Sequence, residues 1–406
     1  MLFNFSFQTA WLAVALLFST TSCSKKNTTA PTANIADTAA TALKSGAERT
    51  ELYFHLLAGK KIALVANATS VVANRHLLDT LLAANIEVKK IFAPEHGFRG
   101  DGDAGEKLND SKDPLTGLPI ISLHGNKKKP DSADLSGIEL VVFDIQDVGV
   151  RFFTYLSTLH YVMEACAEQH IPMIVLDCPN PNGHYVAGPI LQPKFRSFVG
   201  LHPVPMVYGM TIGEYATMIN GEGWLAQKAK CNLQVIDCQG YDRKKIVHLP
   251  IRPSPNLQND RAILLYPSLC LLEGTQMSVG RGTDFPFQVF GHFELQNTDF
   301  SFTPTPHAGA KEPLWSGKLC RGFDLRNISE QQLKTEEFQL SYLLQAYQNF
   351  PDRKNFFLKN NFFDKLAGSD VLRQQIQSGK SAAEIEATWQ PSLQAFQKIR
   401  KKYLRY

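Results

Sequence analysis

Residues 140–176 read LVVFDIQDVGVRFFTYLSTLHYVMEACAEQHIPMIVL, and this stretch decides the fold. It opens on an apolar run of strand length, LVVFDI at 140–145. Residues 152–170 then set Phe152, Leu156, Leu159, Met163 and Cys166 three or four positions apart, which is one face of a long helix. MIVL at 173–176 returns to a short apolar strand. Strand, helix, strand in this order implies parallel neighbours in a doubly wound sheet. The alternation extends upstream: KIALVA at 61–66 reads as a buried strand and HLLDTLLAAN at 76–85 as a short helix. VKKIF at 88–92 and PIISL at 119–123 read as two more strands. The expected fold class is α/β, a doubly wound parallel sheet.

Polar segments follow three of these strands directly. They are PEHGFRG at 94–100, DIQDVGVR at 144–151 and DCPNPNG at 177–183. Parallel doubly wound sheets bind ligands beyond the carboxyl ends of their strands, so all three segments are expected to converge on one edge. Further on, 183–290 is rich in Pro and Gly, with a helix expected over 211–224 and a strand over 233–237. A second α/β unit begins near residue 290, with helices near 330–350 and 382–401. The boundaries read 49–290 for the sheet domain and 291–406 for the smaller C-terminal one.

At the converging edge, Glu95 lies between Pro94 and His96 in a glycine-flanked loop, where a carboxylate is held in a defined position. It can serve as an acid, or it can pair with Arg99 as a loop brace. Asp144, Asp147 and Asp177 add carboxylates at the same edge. Asp147 and Arg151, four residues apart at the start of the long helix, suit either chemistry or an ion pair. Arg99, Arg151 and Arg281 are candidate planar clamps for a substrate carboxylate. His96 is a candidate proton shuttle or hydrogen-bonder, and Asn180 and Asn182 either shape a turn or bind hydroxyls. Thr211 and Glu214 have the spacing of a capping box. Neither GxSxG nor HExxH occurs, which argues against serine esterases and zincins.

The 406 residues carry a net charge of only +4, and no basic face stands out. The basic run Lys127 to Lys129 reads as a solvated turn, so no nucleic-acid partner is indicated. The N-terminus differs from the rest. WLAVALLF at 11–18 is an apolar core of signal-peptide length, followed by small residues leading to Cys23. This resembles a lipobox: 1–22 as lipoprotein signal peptide, Cys23 as the lipidated residue and membrane anchor, and 23–48 as a flexible tether. The anchor's setting would be the cell envelope, facing the periplasm. The other cysteines, at 166, 178, 231, 238, 270 and 320, show no metal-ligand spacing and read as buried thiols.

FAPEHGFRGDGDAGE, DIQDVGVRFFTYLSTL, PNPNGHYVAGPIL, SFVGLHPVPMVYGMTIGEYA and LEGTQMSVGRGTDFPFQVFG occur in that order. Together they resemble the bacterial exo-β-N-acetylmuramidase family, over roughly residues 50–405. The resemblance implies a Rossmann-like domain, a smaller C-terminal α/β domain and an active-site cleft between them. It implies exo-hydrolysis of the β-1,4 bond after a non-reducing terminal N-acetylmuramic acid, so that the partners are peptidoglycan-derived muramyl saccharides. The family's proposed catalytic glutamate falls on Glu95, and other motif positions fall on Arg99, Arg151 and Arg281. Many members carry a histidine where this chain has Tyr208. Glycosidic cleavage also needs a second group: a carboxylate nucleophile, a base for water, or the substrate's own acetamide. The expected assignment is Glu95 as acid, with Asp147 or Asp144 orienting the second step. His96, Arg99, Asp144, Arg151, Asn182 and Arg281 are the expected substrate-binding set, with no metal and no cofactor. Another envelope hydrolase and a non-catalytic muropeptide-binding lipoprotein remain the alternatives.

Overall fold

Seven strands form the central sheet in a computed structural model that describes residues 42–99, 106 and 109–406. They are β1 (Lys61–Ala66), β2 (Glu87–Ala93), β3 (Ser111–Lys112), β4 (Pro119–Ser122), β5 (Leu140–Asp144), β6 (Met173–Leu176) and β7 (Leu233–Ile236). Their spatial order is β3-β4-β2-β1-β5-β6-β7, and every pairing is parallel except that of the short edge strand β3. The chain steps outward from β1 through β2 to β4, then returns to the other side of β1 and steps outward again. Its direction of winding therefore reverses between β1 and β5, and a crevice opens at such a switch point.

Alternation within the strands explains why both faces are covered. Val65, Phe92, Val141, Phe143 and Val175 point into one apolar cluster, together with α2 (Tyr155–Glu168). Ile62, Leu64, Ile91, Val142 and Ile174 point into the other, together with α1 (Leu77–Ala83). A strand that buries both sets of side chains reads as an unbroken apolar run, which is why LVVF and MIVL are so legible. The next helix, α3 (Ile212–Gly221), starts at the expected capping box: Thr211 accepts from the Glu214 amide and the Glu214 carboxylate accepts from the Thr211 amide.

The C-terminal part holds an antiparallel sheet of β8 (Val289–His292), β9 (Phe300–Phe302) and β10 (Cys320–Asp324), with β10 in the middle. The expected boundary at 290 cuts β8, and pairing with β10 assigns the whole strand to the C-terminal part. Around this sheet lie α4 (Asp260–Leu269), α5 (Glu330–Glu336), α6 (Ser341–Asn349), α7 (Phe362–Ala367), α8 (Val371–Gln377) and α9 (Ala382–Arg400). The single helix expected near 330–350 is two helices, because Glu337 takes a left-handed φ of 59° at the end of α5. A continuous core cluster runs from β1 to Phe396, so sheet domain and C-terminal part share one interior.

The N-terminal expectations divide. The apolar stretch 11–18, Cys23 and the tether up to residue 41 lie outside the described residues. For 42–48 the flexible tether is corrected. Lys44 exchanges backbone hydrogen bonds with Gln239, the Gly46 amide donates to the Asp177 carbonyl, and Ala47 is buried. A Cβ on Gly46 would meet the Ile236 carbonyl oxygen and the Asp177 amide nitrogen, so only glycine lets this segment approach the sheet. No helix among the described residues is long and apolar enough to cross a membrane. The six described cysteines are buried free thiols.

Candidate active site

Above the carboxyl edge of the sheet, facing the C-terminal part, lies a cavity of about 750 Å³. Its floor comes from strand ends and its walls from later segments. Glu95 and His96 follow β2 and His124 follows β4, while Phe152 to Tyr155 lead into α2. Tyr266, Cys270, Glu273, Arg281, Phe287 and the loop from Gly309 to Leu314 close it from the C-terminal side. Phe198 and Phe362 complete an aromatic lining broken by a few charged groups, the usual makeup of a small-molecule site.

Glu95 is mostly buried, its side chain 14% exposed. The Thr154 hydroxyl donates to Glu95 Oε2 at 2.5 Å, and His124 Nε2 lies 3.9 Å from Oε1. His96 next to it has a φ of 68°, a left-handed conformation that costs a non-glycine residue roughly 1 kcal/mol or more. His96 Nε2 lies 3.2 Å from the Ser254 hydroxyl, which ties this bend to the far side of the cavity. Tyr155 accepts a hydrogen bond from Asn67 at the end of β1 and donates to the Pro253 carbonyl. Burial raises its phenol pKa, and the charge of Glu95 raises it further.

Arg281 and Glu273 are paired across the cavity wall, Nε to Oε1 at 2.6 Å, with the guanidinium 4.9 Å from the Phe287 ring centre. Burial works against the charge of Arg281, but Glu273 outweighs it and raises the pKa. Arg281 therefore stays cationic beside an apolar wall. A second pair, Lys311 with Glu106, lies on the same cavity at 2.9 Å.

Of the eight expected catalytic and substrate-binding residues, Glu95, His96 and Arg281 line this cavity; the other five do not. Asp147 is fully buried, accepting from the Gly149 amide at 2.7 Å and from the Tyr208 hydroxyl. Asp144 is buried beneath it at the end of β5, near the Cys178 thiol. Neither carboxylate lines the cavity, although Asp147 or Asp144 was expected to orient the second step. Arg151 does not pair with Asp147. Its guanidinium donates to the carbonyls of Pro189, Val204 and Leu366. Asn182 likewise donates to the carbonyls of Val148 and Ile263, and Asn180 to that of Met210. Arg99 pairs with Asp113 at 2.8 Å rather than bracing Glu95. Asp177 accepts from Thr211, Gly213 and Tyr406 at the start of α3.

Sequence reasoning missed Thr154, His124, Glu273, Tyr266 and the loop at 309–314. His124 carried a signal, since it follows PIISL as Glu95 follows VKKIF. Glu273 and Arg281 stand in one quoted motif, but their pairing could not be seen there. Among the described residues one trio could hold a metal ion, His248, Asp260 and Glu330, and none of the three lines the cavity.

A cavity above the carboxyl edge of a doubly wound sheet, holding a mostly buried glutamate, an aromatic lining and an arginine, has the parts that a glycoside hydrolase uses. Residues 62–261 match the family described as exo-beta-N-acetylmuramidase NamZ, N-terminal, and residues 264–406 match its C-terminal counterpart. The chain belongs to this family. It is 38% identical over 372 residues to the peptidoglycan beta-N-acetylmuramidase NamZ of Bacillus subtilis, covering 87% of this chain and 89% of that protein. Among solved structures, a DUF1343 family protein from Bacteroides fragilis is similar with a TM-score of 0.84 and 46% identity. A second from the same organism has a TM-score of 0.78 and 29% identity; each covers 90% of this chain and 99% of its own.

Proposed function

We propose that this protein is an exo-β-N-acetylmuramidase that removes N-acetylmuramic acid from the non-reducing end of peptidoglycan fragments, with Glu95 as its general acid. The observation that carries the reading is Glu95 in the cavity, bonded to Thr154, with Arg281 lining the same cavity. Protonation of the leaving glycosidic oxygen needs such a carboxylic acid at a fixed position. Arg281 recognises the lactyl carboxylate, the group that distinguishes muramic acid from N-acetylglucosamine. Its pairing with Glu273 supports this reading, because the pair holds the guanidinium in one orientation.

The test is release of muramic acid from a chromogenic β-muramide beside the matching N-acetylglucosaminide, for wild type and Glu95→Gln. Cleavage of the muramide alone, lost in the variant, is expected. Full activity in Glu95→Gln would remove Glu95 from the chemistry. We further infer that lipidation of Cys23 anchors the enzyme to an envelope membrane, facing the periplasm. Cys23→Ser should then move the protein from the membrane fraction to the soluble fraction.

A further inference from the structure

We propose that Thr154 is a positioning residue for the acid: its hydroxyl occupies Glu95 Oε2, so that the transferable proton sits on Oε1, the oxygen facing His124. The inference rests on Glu95 being the general acid. Thr154 stands at the N-cap of α2, where a threonine usually turns its oxygen onto the second or third amide of the helix. Here it makes no capping bond. Its hydroxyl donates instead to Glu95, 59 residues away in sequence, at 2.5 Å. Thr154 already has helical backbone angles (φ −65°, ψ −10°), so its side chain is not in capping geometry, and its bond goes to the cavity carboxylate.

The chemistry at the two oxygens follows. With Thr154 as donor, Oε2 is the accepting oxygen of the carboxyl group, and the acid's own proton is assigned to Oε1. Oε1 lies 3.9 Å from His124 Nε2, and His124 Nδ1 is buried with no hydrogen-bond partner among the described residues. In the reaction the Oε1–H bond breaks as its proton passes to the leaving glycosidic oxygen. The C1–O bond breaks with its electron pair going to that oxygen, and Glu95 is left as carboxylate. Water then supplies the hydroxyl of the released sugar and the proton that restores the acid. The Thr154 bond strengthens as charge appears on Glu95, so it favours the transition state over the ground state. It also favours the charged form of the acid and so lowers its pKa.

The test compares wild type, Thr154→Val, Thr154→Ser and Glu95→Gln on phenyl and 2,4-dinitrophenyl β-muramides, with kcat measured against pH. Dinitrophenolate leaves without an acid's help, so it reports folding and binding alone. Thr154→Val should lower kcat on the phenyl compound by about tenfold or more. It should also move the alkaline limb of the profile upward by about half a unit or more, lower the dinitrophenyl rate far less than the phenyl rate, and be rescued by Thr154→Ser. A profile that only scales down, with its limb in place, would overturn the inference and leave Thr154 a structural residue. A Glu95→Gln variant that loses equally on both compounds would instead overturn the acid role of Glu95.

Discussion

Arg151 and Leu366 are 215 residues apart in sequence, and the guanidinium Nη2 of one donates to the backbone carbonyl of the other at 2.9 Å. The same group donates to Pro189 and Val204, and a Cβ on Gly368 would sit 2.6 Å from Nη2. Among the described residues no carboxylate pairs with Arg151, which is 1% exposed. Its charge is therefore neutralised by carbonyl dipoles alone. One side chain thus joins the segment entering α2, the loop 189–204 and the end of α7.

From this arrangement Arg151→Lys should destabilise the protein by about 3 kcal/mol or more, because an ammonium cannot reach three divergent carbonyls and buried orphan carbonyls each cost about 1–3 kcal/mol. Urea denaturation would measure it. Unchanged stability with a weakened KM for muramides would return Arg151 to the role of substrate clamp.

The segment 145–153 shows how far the sequence could be read. Its neighbours were plain, since β5 and β6 bury both faces and declare themselves as apolar runs. That the polar segments gather at one sheet edge also followed from strand order. What each polar side chain does there did not follow. Every residue from Ile145 to Phe153 is buried, so backbone carbonyls in irregular conformation need internal donors. Asn182 donates to the Val148 carbonyl and Gln146 to that of Asp147, while Arg151 and Asn180 serve carbonyls of the segments packed against this stretch. A buried irregular loop and a catalytic loop draw on the same residue types, and only packing separates the two. Cross-chain partners such as Arg281 with Glu273, or Thr154 with Glu95, depend on rotamers and crossings that no spacing encodes.

Asp144 gives the fold a pH dependence of known sign. Burial raises its carboxyl from an ordinary 3.8 to about 8, and its Oδ2 has no hydrogen-bond partner among the described residues. The folded protein then holds a proton that the unfolded chain has released, so this stabilisation is lost as pH rises toward 8. Below pH 6.5 the picture is mixed. Asp147 and Asp177, raised by burial to about 6, act in the same direction there. His160, His184 and His292, lowered by burial to about 4, oppose them. Between pH 6.5 and 8 Asp144 is the main carboxyl contribution, with a slope of at most about 1.4 kcal/mol per unit. His248 is raised by its bond to Asp260, but it is common to wild type and variant. The expected result is that Asp144→Asn is flatter than wild type between pH 6.5 and 8 in urea midpoints. Parallel curves would mean that Asp144 is charged in the fold.

Arg281 should govern selectivity rather than chemistry. Arg281→Met removes the cation beside the Phe287 ring and should cut kcat/KM for a muramide by about a hundredfold, as expected for a lost charge-assisted pair. Cleavage of an N-acetylglucosaminide, if slow in wild type, should not fall further. Glu273→Gln should weaken the muramide in the same sense but less, since the guanidinium loses its orientation and keeps its charge. Equal losses on both sugars would assign Arg281 to the fold of the cavity wall.

Asp147 provides the sharpest separation of fold from catalysis. Its carboxylate accepts from Tyr208 and from the Gly149 amide, while Oδ1 is buried without a partner among the described residues. Both bonds end on Oδ2, so an asparagine that sets its carbonyl there keeps them without the carboxylate's charge, and it buries an unpartnered amide N–H at the Oδ1 position. A loss of about 2–3 kcal/mol in stability is expected, with kcat on a muramide kept within about tenfold of wild type. Tyr208→Phe should cost a similar amount, since it leaves the buried carboxylate with the Gly149 amide as its one remaining strong donor. The double variant should lose less than the sum of the two, because Asp147→Asn weakens the same bond that Tyr208→Phe removes. Thermal or urea unfolding of the four proteins closes the cycle. If Asp147→Asn instead abolishes turnover on well-folded protein, Asp147 acts in the reaction, and the cavity must extend toward β5 when substrate is bound.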